Sequence, residues 1–330
     1  MDQPTLLFGG LALLSVTGIT CYIALVLFSP APRTARTSET YYRCASSPST
    51  PKPLDTVSAN ATVELTVVIP AYNEMMRLPD MLATTMAYLT APKRASRTYE
   101  VLIVDDGSTD GTADLALKLA TGYPRSDIRI VSLAENIGKG GAVRHGMLHS
   151  RGKRLLMVDA DGASRFDDLD LLWVEMDKIA PNDEAAIVVG SRAHLVKTEA
   201  VVKRSFLRNV LMYGLHTLLR IVGVGHIRDT QCGFKLFSRA AAQRIFPVQH
   251  LPTWIFDVEL LLLAKQAHMP VAEVPVAWHE VSGSKLHVVV DSLQMLRDLL
   301  VLRANHILGR WTVVPAVQNA TTVYENGNAK

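Results

Sequence analysis

Three apolar runs that each end in acid constrain this chain more than any other feature. Residues 65–69 (Leu-Thr-Val-Val-Ile) lead into Pro70-Ala71-Tyr72-Asn73-Glu74. Residues 101–104 lead into Asp105-Asp106-Gly107-Ser108-Thr109-Asp110-Gly111-Thr112, and residues 154–158 into Asp159-Ala160-Asp161-Gly162-Ala163. Continuous apolar runs of this length suit strands buried on both faces, as in a parallel sheet covered by helices. In such sheets ligands gather at the carboxyl ends of the strands, so the topology alone brings the three acidic loops together. Alternate carboxylates at a strand end, here Asp159 and Asp161, can converge on one hard cation that in turn holds a diphosphate.

Strand-like runs recur at 65–69, 99–105, 128–133, 154–159 and 185–190, with helix-like stretches at 73–89, 110–122, 138–150 and 167–179 between them. This alternation predicts an α/β fold with a mainly parallel sheet flanked by helices. The chain of 330 residues, 48% hydrophobic and 20% charged, is long enough to bury a substantial core, and a net charge of +3 gives no reason to expect nucleic acid as a partner.

Residues 6–28 contain no charged side chain and as a helix span about 34 Å, which predicts an N-terminal transmembrane anchor over 1–28. Arg33, Arg36, Arg43 and Lys52 follow it, whereas only Asp2 and the α-amino group precede it, so the positive-inside rule places the remainder in the cytosol. Residues 29–63, rich in Pro, Ser, Thr and Arg, read as a flexible linker, 64–311 as the catalytic domain and 312–330 as a polar tail. The odd count of cysteines, Cys21, Cys44 and Cys232, suits a reducing compartment without disulfides or zinc. The sequons at Asn60 and Asn319 are then expected to stay unmodified. Residues 206–222 and 286–308 are amphipathic and suit either a membrane surface or packing on the sheet.

Among the motifs, the doubled acid Asp105-Asp106 needs a donor, which a nucleobase N–H would supply, while Asp110 to Thr112 also suits a turn and helix cap. In Asn136-Ile137-Gly138-Lys139-Gly140-Gly141-Ala142 the glycines permit close backbone approach and Lys139 adds a charge, so the loop can host a nucleotide or other anion. It has neither Walker A nor dinucleotide-fingerprint spacing.

The order PAYNE, VDDGSTDGT, NIGKGGA and DADGA resembles the inverting family 2 glycosyltransferases of GT-A fold. The later blocks at 229–237 (DTQCGFKLF), 254–260 (WIFDVEL) and 278–285 (WHEVSGSK) resemble those of eukaryotic dolichyl-phosphate β-glucosyltransferases, and the likeness runs over about 64–311. It implies transfer of glucose from UDP-glucose to dolichyl phosphate at the cytosolic face of the endoplasmic reticulum, for lipid-linked oligosaccharide assembly. By position, Pro70, Tyr72, Glu74, Asp105, Asp106 and Asp159 are implied for the UDP-sugar, with Lys139 beside them. Asp159 and Asp161 are implied to hold Mg²⁺ or Mn²⁺ on the diphosphate.

Asp161 and Asp257 are the implied catalytic acids, Asp257 orienting a sugar hydroxyl or acting as a base, with Glu259 nearby. Arg204, Arg208, Ser284 and Lys285 are candidates for the acceptor phosphate. Trp254, Phe256 and Trp278 read as core rather than sugar platforms. Two alternatives stay open, a mannosyltransferase using GDP-mannose and a nucleotide-sugar-binding membrane protein without turnover. A polysaccharide synthase is disfavoured, since Ile307 to Trp311 lacks the Gln of a Q-x-x-R-W block.

Overall fold

The computed structural model describes residues 3–30, 33–195, 227–281, 283 and 288–311, with side chains of the first helix from Ala12 onward. A nine-stranded sheet runs through it in the order β2-β1-β5-β4-β3-β6-β8-β7-β9. Its centre is parallel: β3 (Val63–Ala71) pairs with β4 (Tyr99–Asp105) and with β6 (Gly152–Val158), and β4 with β5 (Asp127–Ser132). These are the strands that the apolar runs predict, each within two residues of its expected ends.

Alternate residues of the central strands feed two cores on opposite faces. Leu65, Val67, Ile69, Val101 and Ile103 pack with Met81, Leu82 and Met86 of α2 (Leu78–Leu89), Ala116 of α3 (Thr112–Ala120) and Leu172 of α5 (Leu169–Ile179). Val68, Leu102, Val104, Leu155 and Met157 pack with Val143 and Met147 of α4 (Lys139–Leu148) and Ile245 of α6 (Arg239–Ile245). That second core also takes in Leu260 and Leu263 of α7 (Phe256–Gln266) and Leu299 of α8 (Val288–Ile307). After β5 the chain passes from one side of β3 to the other to form β6. The crevice at the carboxyl ends of β3 and β6 is therefore the switch point at which such sheets bind ligands.

Two expectations are corrected. The sheet is mixed rather than mainly parallel: β8 (Phe234–Ser238) runs antiparallel to both β6 and β7 (Ile187–Ser191), β9 (Val271–Pro275) is parallel to β7, and β1 (Tyr41–Cys44) is antiparallel to β5. Nor is 29–63 an irregular tether, because β1 and β2 (Ser47–Pro53) form a hairpin that extends the sheet. Pro48, Pro51 and Pro53 are tolerated because β2 is the edge strand.

Glu39, fully buried just before β1, fastens this segment. It accepts both guanidinium nitrogens of Arg33 at 2.9 and 2.6 Å, the Arg36 N–H at 2.8 Å and the Ala134 N–H at 3.0 Å. Burial pushes its pKa up, but the Arg33 bond and the two amides outweigh that and hold it at about 2.

Helix α1 (Gln3–Phe28) carries exposed Leu13, Leu14, Val16, Ile19, Ile23 and Leu27 and meets α8, where Asn305 Nδ2 donates to Ser29 Oγ at 2.9 Å. Among the described residues no helix is long and apolar enough to cross a membrane. The amphipathic stretch 206–222 lies outside the described residues. Most of 286–308 forms α8, which buries Met295, Leu299 and Leu302 and leaves Val290, Leu293, Leu300 and Ile307 exposed. The cysteines are free thiols.

Candidate functional site

The switch-point crevice opens into a cavity of about 670 Å³. Its lining brings together Pro70, Tyr72, Glu74, Asp106, Lys139, Asp159 and Asp161, seven of the residues that the sequence singled out. The walls are completed by Arg77, Trp254, Trp278 and Glu280.

The loops that carry these residues hold one another. Asn73, in the left-handed region at φ 51, donates its N–H to Ser108 Oγ at 2.8 Å and accepts the Thr109 N–H on Oδ1 at 2.9 Å. The Glu74 N–H donates to Thr112 Oγ1 and the Met75 N–H to Asp110 Oδ2. The Ser-Thr-Asp-Gly-Thr turn thus serves as the dock for the loop after β3.

Asp106 does the same for the loop after β5, accepting the N–H of Ile137 at 2.8 Å and of Gly138 at 3.0 Å. Burial pushes its carboxyl up to about 6 against the pull of those two amides. Gly138 has φ +92, and a side chain there would meet the Pro252 carbonyl oxygen at 2.5 Å, so the residue must be glycine. Asp105 lies outside the cavity lining, nearly buried, with its pKa raised by burial and its Oδ1 without a hydrogen-bond partner.

The acid pair follows directly from β6. The Asp159 carboxylate lies against the backbone of Gly233, where a Cβ would come within 2.0 Å of Oδ2. Lys139, at the start of α4, brings Nζ to 2.7 Å from Asp159 Oδ1 and 2.9 Å from Oδ2. Only the Oδ2 contact has hydrogen-bond geometry, which leaves Oδ1 buried without a directed donor. Asp161 Oδ1 accepts the Ala163 N–H at 2.9 Å, and burial together with the neighbouring Asp159 charge raises its pKa. Burial alone would pull the Lys139 ammonium down, but Asp159, Asp257 and Asp161 outweigh that and raise it.

A carboxylate oxygen without a directed hydrogen bond, beside a second acid, is an arrangement of hard oxygen donors that fits a divalent cation. Among the described residues, no group of three or more His, Cys, Asp or Glu side chains is clustered for a metal. Asp159 and Asp161 would supply two carboxylates to such a cation, which at phosphate sites usually takes further oxygens from ligand and water.

Asp257 is placed differently from the role expected of it. It is buried outside the cavity lining, with Oδ1 2.6 Å from Lys235 Nζ, which also donates to the Cys232 carbonyl at 2.6 Å. A base that must reach substrate is not what this geometry provides. Glu259 is likewise structural, accepting the N–H groups of His250 at 2.8 Å and Leu251 at 2.7 Å.

Phe256 is core, as expected, but Trp254 and Trp278 line the cavity instead, with Lys139 Nζ 5.9 Å from the Trp254 ring centroid. Arg204, Arg208, Ser284 and Lys285 lie outside the described residues. Arg77, not singled out from sequence, forms a bidentate pair with Glu74 and turns toward the acids; its spacing of three from Glu74 was the available signal. Outside the cavity lining, Arg192 is paired with Asp229 at 2.7 and 2.9 Å and lies 5.4 Å from the Trp278 ring centroid.

Residues 66–246 match the model of glycosyl transferase family 2. The chain is 49% identical over 253 residues to a dolichyl-phosphate beta-glucosyltransferase of Dictyostelium discoideum, covering 76% of this chain and 77% of that one. The Saccharomyces cerevisiae protein of the same name is 44% identical over 306 residues, covering 88% and 91%, and the Homo sapiens one 46% identical over 263 residues, covering 78% and 80%. Among solved structures, glucosyl-3-phosphoglycerate synthase from Mycobacterium tuberculosis, in complex with Mn²⁺, UDP-glucose and phosphoglyceric acid, superposes with a TM-score of 0.51 at 17% identity. That match covers 74% of this chain and 80% of the other, and the shared feature is the GT-A fold.

Proposed function

The chain belongs to glycosyl transferase family 2 and, within it, to the dolichyl-phosphate β-glucosyltransferases, and from that membership we infer that it transfers glucose from UDP-glucose to dolichyl phosphate with inversion. The product is dolichyl β-D-glucosyl phosphate, a glucose donor for lipid-linked oligosaccharide assembly in N-glycosylation. The observation that carries the reading is the acid pair Asp159 and Asp161 at the end of β6, facing Lys139 inside the one cavity that also holds Tyr72, Glu74 and Asp106.

In this reading Asp106 fixes the 136–138 loop as one wall of the nucleoside pocket, and Tyr72 with Pro70 forms the facing wall. Asp159 and Asp161 would hold Mg²⁺ or Mn²⁺, whose charge offsets the negative charge that builds on departing UDP. Lys139 and Arg77 add positive charge to the same region of the cavity. Trp254 and Trp278 supply apolar walls that exclude water, which would otherwise compete as acceptor.

The acceptor phosphate monoester has a second pKa of about 6 and is mostly a dianion at cytosolic pH. Its oxygen attacks the anomeric carbon as the bond to UDP breaks, so one in-line displacement converts α to β without a protein base. The burial of Asp257 against Lys235 accords with that, and the chain's contribution is alignment and electrostatic stabilisation.

We place the chain at the endoplasmic reticulum membrane with the catalytic unit in the cytosol. The uncharged run 6–28, the basic flank from Arg33, and the exposed apolar side chains of α1 and of Val290, Leu293, Leu300 and Ile307 on α8 support this placement.

The test is transfer of radiolabel from UDP-glucose, UDP-N-acetylglucosamine and GDP-mannose, separately, to dolichyl phosphate in detergent, with Mn²⁺, Mg²⁺ or EDTA. Lipid-soluble label from UDP-glucose alone, abolished by EDTA, is expected. Label from GDP-mannose would overturn the sugar, and binding of UDP-glucose without label from any donor would overturn turnover onto this acceptor.

A further inference from the structure

Lys139 and a divalent cation have claims on the same carboxylate. Nζ lies 2.7 and 2.9 Å from the two oxygens of Asp159, one of which is otherwise without a directed donor. An ammonium at these distances occupies lone pairs that a cation would use, and repulsion between two cations on one partly shielded carboxylate favours the departure of one of them.

The contact also determines which partner moves. Asp159 cannot retreat, since its carboxylate already lies against the Gly233 backbone and its own N–H is held by the Gly233 carbonyl at 3.2 Å. The main chain at Lys139 cannot move either: Asp106 grips the preceding Gly138 amide, and Gly141 N–H donates to the Pro252 carbonyl. Asp257 is already held by Lys235. What remains free to move is the Lys139 side chain, four methylenes long, which opens onto the cavity.

We propose that Lys139 is an exchangeable counter-ion: its ammonium holds Asp159 until a divalent cation takes those oxygens, and it then turns to the diphosphate of the donor. This rests on the reading of Asp159 and Asp161 as the metal-holding pair. The local charge count explains why the exchange would be linked to the nucleotide. Three acids (Asp159, Asp161, Asp257) face two ammoniums (Lys139, Lys235), and Arg77 with its partner Glu74 adds no net charge, leaving one net negative charge. A divalent cation alone reverses that sign in a buried place, whereas cation and diphosphate together do not. Metal and UDP therefore strengthen each other's binding, and Lys139 is the residue through which they do so.

The test is Mn²⁺ binding to the full-length chain in detergent, followed by electron paramagnetic resonance of free Mn²⁺, with and without UDP, in the wild type and in Lys139→Gln, Lys139→Met and Lys139→Arg. Without UDP, the Gln and Met variants are expected to bind Mn²⁺ about tenfold or more tighter than wild type, a span usual for coupled sites, while Arg leaves the affinity near that of wild type. UDP is expected to tighten Mn²⁺ binding strongly in the wild type and only weakly in the Gln and Met variants. Unchanged or weaker Mn²⁺ binding in both neutral variants, or equal tightening by Arg, would overturn the exchange and leave the metal site standing. Failure of the wild type to bind Mn²⁺ even with UDP would instead overturn the metal site itself, and the exchange with it.

Discussion

Gly233 provides the space in which the Asp159 carboxylate lies: a Cβ at 233 would fall 2.0 Å from Oδ2, 2.3 Å from Cγ and 2.7 Å from Oδ1. The acid at the end of β6 is thus positioned by a residue that enters the sheet from the far end of the sequence, just before β8. Gly233 is not among the glycines with positive φ, so alanine suits its backbone, and the three atoms nearest to an added Cβ all belong to the Asp159 carboxylate.

Gly233→Ala should therefore fold and fail. Displacement of a reacting-site group by about 1 Å costs on the order of 100-fold in rate, and a loss of that size is expected in glucosyl transfer, with thermal unfolding shifted by only a few degrees. Transfer within threefold of wild type would show that Asp159 is not needed at this place.

Removing one partner of the Lys235–Asp257 pair leaves a buried charge alone, which costs about 3–5 kcal/mol. Lys235→Met should lower the free energy of unfolding by that amount in denaturant melts, and the double variant Lys235→Met with Asp257→Leu should recover most of it. Asp257→Asn should leave the shape of the pH–rate profile unchanged. Loss of its acidic limb would restore Asp257 as a base.

Glu39 has a folded-state pKa of about 2 against an ordinary 4.5, so the ionised form is favoured by folding. Its contribution is complete above about 4.5 and is lost as pH falls through that value toward 2. Glu39→Gln should lower stability by about 3 kcal/mol at neutral pH, and the gap to wild type should close in acid. Urea melts from pH 2.5 to 7 would measure it, and a gap independent of pH would refute the assignment.

Asp106 behaves in the opposite sense. Its carboxyl is raised to about 6 in the folded chain against an ordinary 3.8, so the fold gains relative stability as pH falls through 6, while the bonds to Ile137 and Gly138 weaken with protonation. UDP-glucose affinity should fall below pH 6, since its doubly esterified diphosphate has no ionisation of its own there. Asp106→Asn should show about tenfold weaker binding with no inflection there, in line with the loss of a charged hydrogen bond. Titration calorimetry between pH 5 and 8 decides it, and an inflection retained in the variant would exclude Asp106.

The parallel centre of the sheet and the three acidic loops were legible because each strand announces itself locally, as an apolar run stopped by acid. The hairpin of β1 and β2 was not, since Ser47–Pro53 carries three prolines and is held in place by pairing rather than by propensity. The sequence before Leu78 reads as helix, yet Asn73 at φ 51 and the side-chain bonds of 73–75 to the neighbouring loop hold it as bends and a turn that form a cavity wall. Asp257 read as reactive because its partner, Lys235, is 22 residues away on a strand that had not been recognised. Trp254 and Trp278 took their exposure from a crevice between distant segments, which composition does not reveal.

The fastening of Glu39 to Arg33 and Ala134, and of Ser29 to Asn305, leaves almost no slack between the first helix and the catalytic unit. Were that helix seated in a bilayer, as proposed, the height and tilt of the cavity mouth above the lipid would be fixed properties of the protein, set like a bracket on a wall. Supply of acceptor then depends on sideways diffusion of a long polyprenyl chain within its leaflet. An enzyme mounted this way samples a narrow ring of membrane around its own foot, so its throughput should track the surface density of the carrier lipid rather than the amount present in the cell.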